Sequence, residues 1–237
     1  MADVAIFGDS YVDPVRYEHQ HQYTSWVNKL STKYKVHNEA VSGTGPEYSL
    51  RKFLEYTRDF ILAGDSKDMS IIFVCSDPCR LDLSCYKHSR EAVEIFDIAE
   101  GKRRHKSTVF AKQAIQWMMS SEWQVNQHVM VRSTLSQLAP HFKNILYWSI
   151  LSWRPYDEIL FTPDNMCFPK ESLIDISIRD CGENLALKDL PVFIDHRINH
   201  LQETNHEIMF EQVTNWIDND TPIDTSKFIY AGSLETK

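Results

Sequence analysis

The residues able to do chemistry in this chain gather where its apolar runs stop. Val4-Ala5-Ile6-Phe7 ends in Gly8-Asp9-Ser10, and the stretch reaching Val41 ends in Ser42-Gly43-Thr44-Gly45-Pro46. Met69-Ser70-Ile71-Ile72-Phe73-Val74-Cys75 ends in Ser76-Asp77-Pro78-Cys79-Arg80. Val192-Phe193-Ile194 runs into Asp195-His196-Arg197-Ile198-Asn199-His200. These ends supply a hydroxyl (Ser10), an imidazole (His200), a carboxylate to orient it (Asp195) and a glycine N–H (Gly43). Acyl transfer needs this set: a nucleophile, its base, and donors for the oxyanion of a tetrahedral intermediate. Taken alone, Gly8-Asp9-Ser10 has two readings, a serine presented on a tight turn or a helix N-cap.

The elements that must position these groups follow from the pattern around them. A short continuous apolar run closed by glycine or polar residues is a strand buried on both faces of a parallel sheet. Strands are expected at 4–7, 33–41, 69–75, 144–151 and 192–194. Ser25 or Thr24 caps a helix carrying Trp26, Val27 and Leu30 on one face. Pro46 suits a first helical turn, after which Leu50, Phe53, Leu54 and Ile61 form the buried stripe. Residues 108–138 are helical with a break near Ser120-Ser121, Trp117, Met118 and Met119 being packing residues. A last helix, from about 203 to 217, carries Ile208, Met209 and Val213 inward, with Trp216 or Ile217. Strand, turn and helix in alternation give an α/β fold, a three-layer α/β/α sandwich on a mostly parallel five-stranded, flavodoxin-like sheet. One domain spans 1–220, with a charged insertion at 81–106 near the site, a loop-rich stretch at 154–183 and a polar tail over 221–237. In such sheets ligands bind just beyond the carboxyl ends of the strands.

Bulk properties narrow the partners. A formal charge of −8 disfavours nucleic acid and anionic membrane surfaces. No apolar stretch has the length of a membrane span, and no secretory signal is evident at the start, so a cytoplasmic location is expected. Five cysteines, with only Cys75 and Cys79 close in sequence, do not make a zinc site and are read as reduced thiols. His19 and His21 lie in a polar loop. His196 and His200 have the i, i+4 spacing of a metal pair but precede the helix, so neither a metal nor a cofactor is expected.

Taken in order, these blocks make the chain resemble the SGNH (GDSL-type) serine esterases over nearly its whole length. Gly8-Asp9-Ser10 matches the nucleophile block, and Asn38-Glu39-Ala40-Val41-Ser42-Gly43 the block whose glycine N–H serves the oxyanion hole. His200 to His206 matches the last block, where the catalytic histidine precedes the terminal helix. The resemblance implies Ser10 as nucleophile, His200 as general base and Gly43 as oxyanion donor. His206 is expected to be a helix-packing or supporting residue.

The chain departs from the family pattern in two blocks. The third usually carries Gly-X-Asn-Asp, its asparagine donating to the oxyanion, whereas here Val74-Cys75-Ser76-Asp77 places Ser76 or Asp77 at that position. A hydroxyl donates and an ionised carboxylate does not; Arg80 is a further replacement donor. In the last block the position three before the histidine is Arg197, so Asp195 or a backbone carbonyl orients His200. The expected activity is hydrolysis of small acyl esters such as acetyl groups, on small molecules or glycans. The alternatives are an O-acyltransferase on the same fold, or a binding module that has lost catalysis.

Overall fold

The computed structural model describes residues 3–14, 24–76, 117, 120–150, 160–173, 175–177, 201 and 203–229. Their centre is a sheet of five strands, all parallel: β1 (Asp3–Phe7), β2 (Lys35–Asn38), β3 (Met69–Cys75), β4 (Asn144–Ser149) and β5 (Met166–Cys167). The order across the sheet is β2-β1-β3-β4-β5, the flavodoxin-like order. β1 and β3 run in register from Asp3 opposite Met69 to Phe7 opposite Phe73.

Alternation along these strands builds two apolar layers. Val4, Ile6, Ile72, Val74, Leu146 and Trp148 face a core shared with α1 (Trp26–Leu30) and α4 (Glu203–Asn219). Ala5, Phe7, Ile71, Phe73, Ile145 and Tyr147 face the opposite core, shared with α2 (Pro46–Ala63) and α3 (Ser121–Leu138). The strands read as unbroken apolar runs because helices cover both faces. Three layers result.

Local signals set the helix ends. Ser25 caps α1, its hydroxyl accepting from the Asn28 N–H at 3.3 Å. Ser120 caps α3 by accepting from the Trp123 N–H, which is the break expected at Ser120-Ser121. Pro46 opens α2, and Gly64 closes it in the left-handed region at φ 79, donating its N–H to the last turn. Such a cap favours glycine, which has no Cβ to strain.

Four expectations needed correction. The fifth described strand is Met166–Cys167, inside the stretch read as loop; the expected strand at 192–194 lies outside the described residues. Two residues carry no periodicity, and pairing with Ile145 and Leu146 makes them a strand. Leu54 is 41% exposed, because the buried stripe of α2 runs through Pro46, Ser49, Leu50, Phe53 and Thr57. Thr57 tolerates burial by donating to the Phe53 carbonyl at 2.6 Å. Trp117 is exposed and lies against Trp123, with ring centroids 4.1 Å apart; Met118 and Met119 lie outside the described residues. Past Asp220 the chain is not wholly peripheral, since Ile223 and Phe228 are buried and Phe228 meets Trp148 edge-on.

Phe53 and Leu54 give a paired test of the α2 face. Phe53→Ala should cost about 3–5 kcal/mol in chemical denaturation, and Leu54→Ala within about 0.5 kcal/mol. Equal losses would mean that the helix is rotated.

Candidate active site

β1 connects to β2 on one side and β3 lies on the other, so the strand order reverses between β1 and β3. The crevice at their carboxyl ends is the topological switch point. Ser10 follows β1 into it and Ser76 follows β3.

Gly8 makes the turn possible. A Cβ built there would lie 2.6 Å from Val12 Cγ2 and 2.9 Å from Val74 Cβ, so only glycine lets the chain pass between its own turn and β3. Beyond it the polar groups are tied in sequence. The Asp9 carboxylate is buried and accepts from the Tyr11 N–H at 3.2 Å, an Asx turn. The Asp9 carbonyl accepts from the Val12 N–H at 3.0 Å. Tyr11 Oη shares a 3.2 Å hydrogen bond with Ser177 Oγ, and Ser177 Oγ also donates to the Leu173 carbonyl. The Val12 carbonyl accepts from Asn38 Nδ2 at 2.8 Å, and Asp13 Oδ2 accepts from both the N–H and the hydroxyl of Ser42. Ser10 Oγ is buried and has no hydrogen-bond partner among the described residues. Among the described residues no N–H donates to it.

The second turn sits directly on the first. The Glu39 N–H donates to the Ile6 carbonyl at 3.0 Å, and the Val41 N–H to the Gly8 carbonyl at 3.2 Å. Thr44 N–H closes a β-turn on the Val41 carbonyl, with Gly43 at φ 85, where glycine is favoured. Gly43 is exposed, and its N–H makes no hydrogen bond to the described residues. Across the crevice Ser76 is buried, and its Oγ also lacks a partner among the described residues. Leaving such a hydroxyl unpaired costs about 1–3 kcal/mol. The hydroxyls of Ser49, Ser70 and Thr214 are buried unpaired among the described residues as well, so it is their place at the carboxyl edge that sets Ser10 and Ser76 apart.

Of the site residues expected from sequence, Ser10, Gly43 and Ser76 are described, and the fold brings all three to the carboxyl edge of the sheet. Asp77, Arg80, Asp195 and His200 lie outside the described residues, as do the 81–106 insertion and the loop holding His19 and His21. Leu201, the residue after His200, is buried in the same apolar cluster as Tyr11 and Val12, the residues that follow Ser10. His206 is buried in α4 and accepts from the Trp26 N–H through Nδ1 at 3.3 Å, which joins α4 to the start of α1. That bond needs a lone pair on Nδ1. Asp13, Tyr11 and Ser177 were missed by sequence reasoning. Only Asp13 carried a signal: an aspartate three residues past the serine, within reach of the second turn.

A cleft of about 480 Å³ opens at the opposite, amino end of β4, lined by Lys143, Asn144, Asp164, Cys167, Trp216 and Asp220 among others. Its polar groups partly serve the fold: Lys143 Nζ donates to the Ile217 carbonyl and Asn144 Nδ2 to Asp220 Oδ1. Burial pushes the Cys167 thiol up, against a backbone hydrogen bond from Ile223, so it stays protonated. No set of three or more metal-ligating side chains occurs among the described residues, and no helix among them is long and apolar enough to cross a membrane.

Comparison with family models, with curated proteins and with solved structures finds no match.

Gly8→Ala tests the turn. The added methyl should destabilise the protein by about 1–3 kcal/mol in urea denaturation. Unchanged stability would mean that the approach to Val74 is looser than described.

Proposed function

We propose that this chain is a serine esterase of small acyl esters, such as acetyl groups on small molecules or glycans, with Ser10 as its nucleophile. The observation that carries the reading is Ser10 Oγ, buried at the switch point and unpaired among the described residues within a turn whose neighbouring polar groups are tied. The exposed Gly43 on the adjoining turn, whose N–H makes no hydrogen bond to the described residues, supports it. The ordered resemblance to SGNH esterases supplies the remaining groups.

On this reading Ser10 Oγ attacks the ester carbonyl while its proton passes to His200, which Asp195 orients. The tetrahedral oxyanion is held by the N–H groups of Ser10 and Gly43. Ser76 contributes a hydroxyl in place of the family's asparagine, and its hydrogen has no other acceptor among the described residues. Collapse breaks the bond to the alcohol, which leaves with the proton from His200. Water, deprotonated by His200, then attacks the acyl-enzyme and releases the acid and Ser10.

A fluorophosphonate probe should label the wild type and fail to label Ser10→Ala. Hydrolysis of p-nitrophenyl acetate should fall about a thousandfold or more in Ser10→Ala and in His200→Ala. Ser76→Ala should lose about a hundredfold, the effect of removing one oxyanion donor. An unlabelled wild type, or a label that persists in Ser10→Ala, would refute the esterase.

A further inference from the structure

We infer that Asp13 is a positioning residue, which fixes the Gly43 turn against the Ser10 turn through Ser42; this rests on the esterase reading above. Asp13 follows directly on the turn that presents Ser10, which the Val12 N–H closes on the Asp9 carbonyl, and its Oδ2 takes two hydrogen bonds from one residue of the neighbouring turn. These are the Ser42 N–H at 2.9 Å and the Ser42 hydroxyl at 2.6 Å. Bonds to an ionised carboxylate are shorter and stronger than those between neutral groups.

Holding both groups of Ser42 fixes the orientation of the peptide that follows, whose N–H belongs to Gly43. That amide occupies the third position of the Val41–Thr44 turn, so the turn's own hydrogen bond does not use it. Its direction is then set by two contacts. The first is the Val41 N–H on the Gly8 carbonyl, and the second is Asp13 on Ser42. Asn38 adds a parallel strut by holding the Val12 carbonyl at 2.8 Å and taking the Ala40 N–H at 2.8 Å. The two loops therefore move as one piece, and the distance from nucleophile to oxyanion donor is set before substrate arrives. Preorganisation of this kind matters because a displacement of about 1 Å at a reacting centre costs about a hundredfold in rate.

Among the described residues the Asp13 carboxylate bonds to Ser42 and not to Ser10 Oγ or the Gly43 N–H, so its removal should act on turnover rather than binding. Asp13→Ala should slow fluorophosphonate labelling of Ser10 and lower kcat for p-nitrophenyl acetate by about a hundredfold, with KM little changed. Asp13→Asn places a carbonyl oxygen where Oδ2 lies and can still accept both bonds, so it should restore most of the rate. Ser42→Ala keeps the N–H bond and should fall between the two, a variant that serves if Asp13→Ala fails to fold. A purely structural role would lower the thermal midpoint of Asp13→Ala and leave the kcat of its folded fraction unchanged. Wild-type labelling with equal rates in Asp13→Ala and Ser42→Ala would overturn the inference and leave the esterase standing. A wild type that does not label would bring down both.

Discussion

The packing of Gly8 against Val74 is the constraint on which the rest depends. β1 and β3 are hydrogen-bonded neighbours in register up to Phe7 opposite Phe73. One residue later β1 must leave the sheet while β3 continues to Cys75. With no room for a Cβ at Gly8, the chain can turn there without parting from β3. Ser10 is thus delivered at the end of a strand that is locked on both sides. Had β1 ended on a larger residue, the turn would have been pushed away from β3 and Ser76 with it.

The crevice holds polar groups that the fold itself does not use. Buried hydroxyls usually find a carbonyl, as Thr57 and Ser177 do. Ser10 and Ser76 are buried without one among the described residues, as are Ser49, Ser70 and Thr214, but Ser10 and Ser76 lie at the carboxyl ends of adjacent strands. The cost of leaving them so is offset by the two apolar layers, in which Phe7, Phe53, Phe73, Tyr147 and Trp148 are all but fully enclosed. A rigid scaffold with unspent donors at one edge is the general design of a binding or catalytic site. The carboxylates of Asp9 and Asp13, by contrast, accept hydrogen bonds from the turns themselves.

Much of this was legible in the sequence, and the reasons differ from element to element. Strands buried on both faces announce themselves as apolar runs, so β1, β3 and β4 were readable to within two residues at their ends. Ser25 and Pro46 marked helix starts because capping is local chemistry, and Ser120-Ser121 marked a break that the structure resolves as the cap of α3. β5 was not legible, since a two-residue strand exists only through its pairing with β4. The exposure of Leu54 was not legible either: the stripe of α2 includes Ser49 and Thr57, which a purely apolar pattern omits. At the site, Ser10, Gly43 and Ser76 were visible as polar residues at strand ends. The link from Asp13 to Ser42 was not, because it joins loops that are neighbours only after β1 and β2 pair.

The most direct test is a crystal structure of the protein after reaction with an organophosphonate, which leaves a tetrahedral mimic on the nucleophile. The account predicts phosphorus bonded to Ser10 Oγ, a phosphonyl oxygen within hydrogen-bonding distance of the Gly43 N–H and the Ser76 hydroxyl, and the His200 imidazole beside Oγ. An adduct on any other residue, or one on Ser10 whose phosphonyl oxygen points away from Gly43, would contradict it.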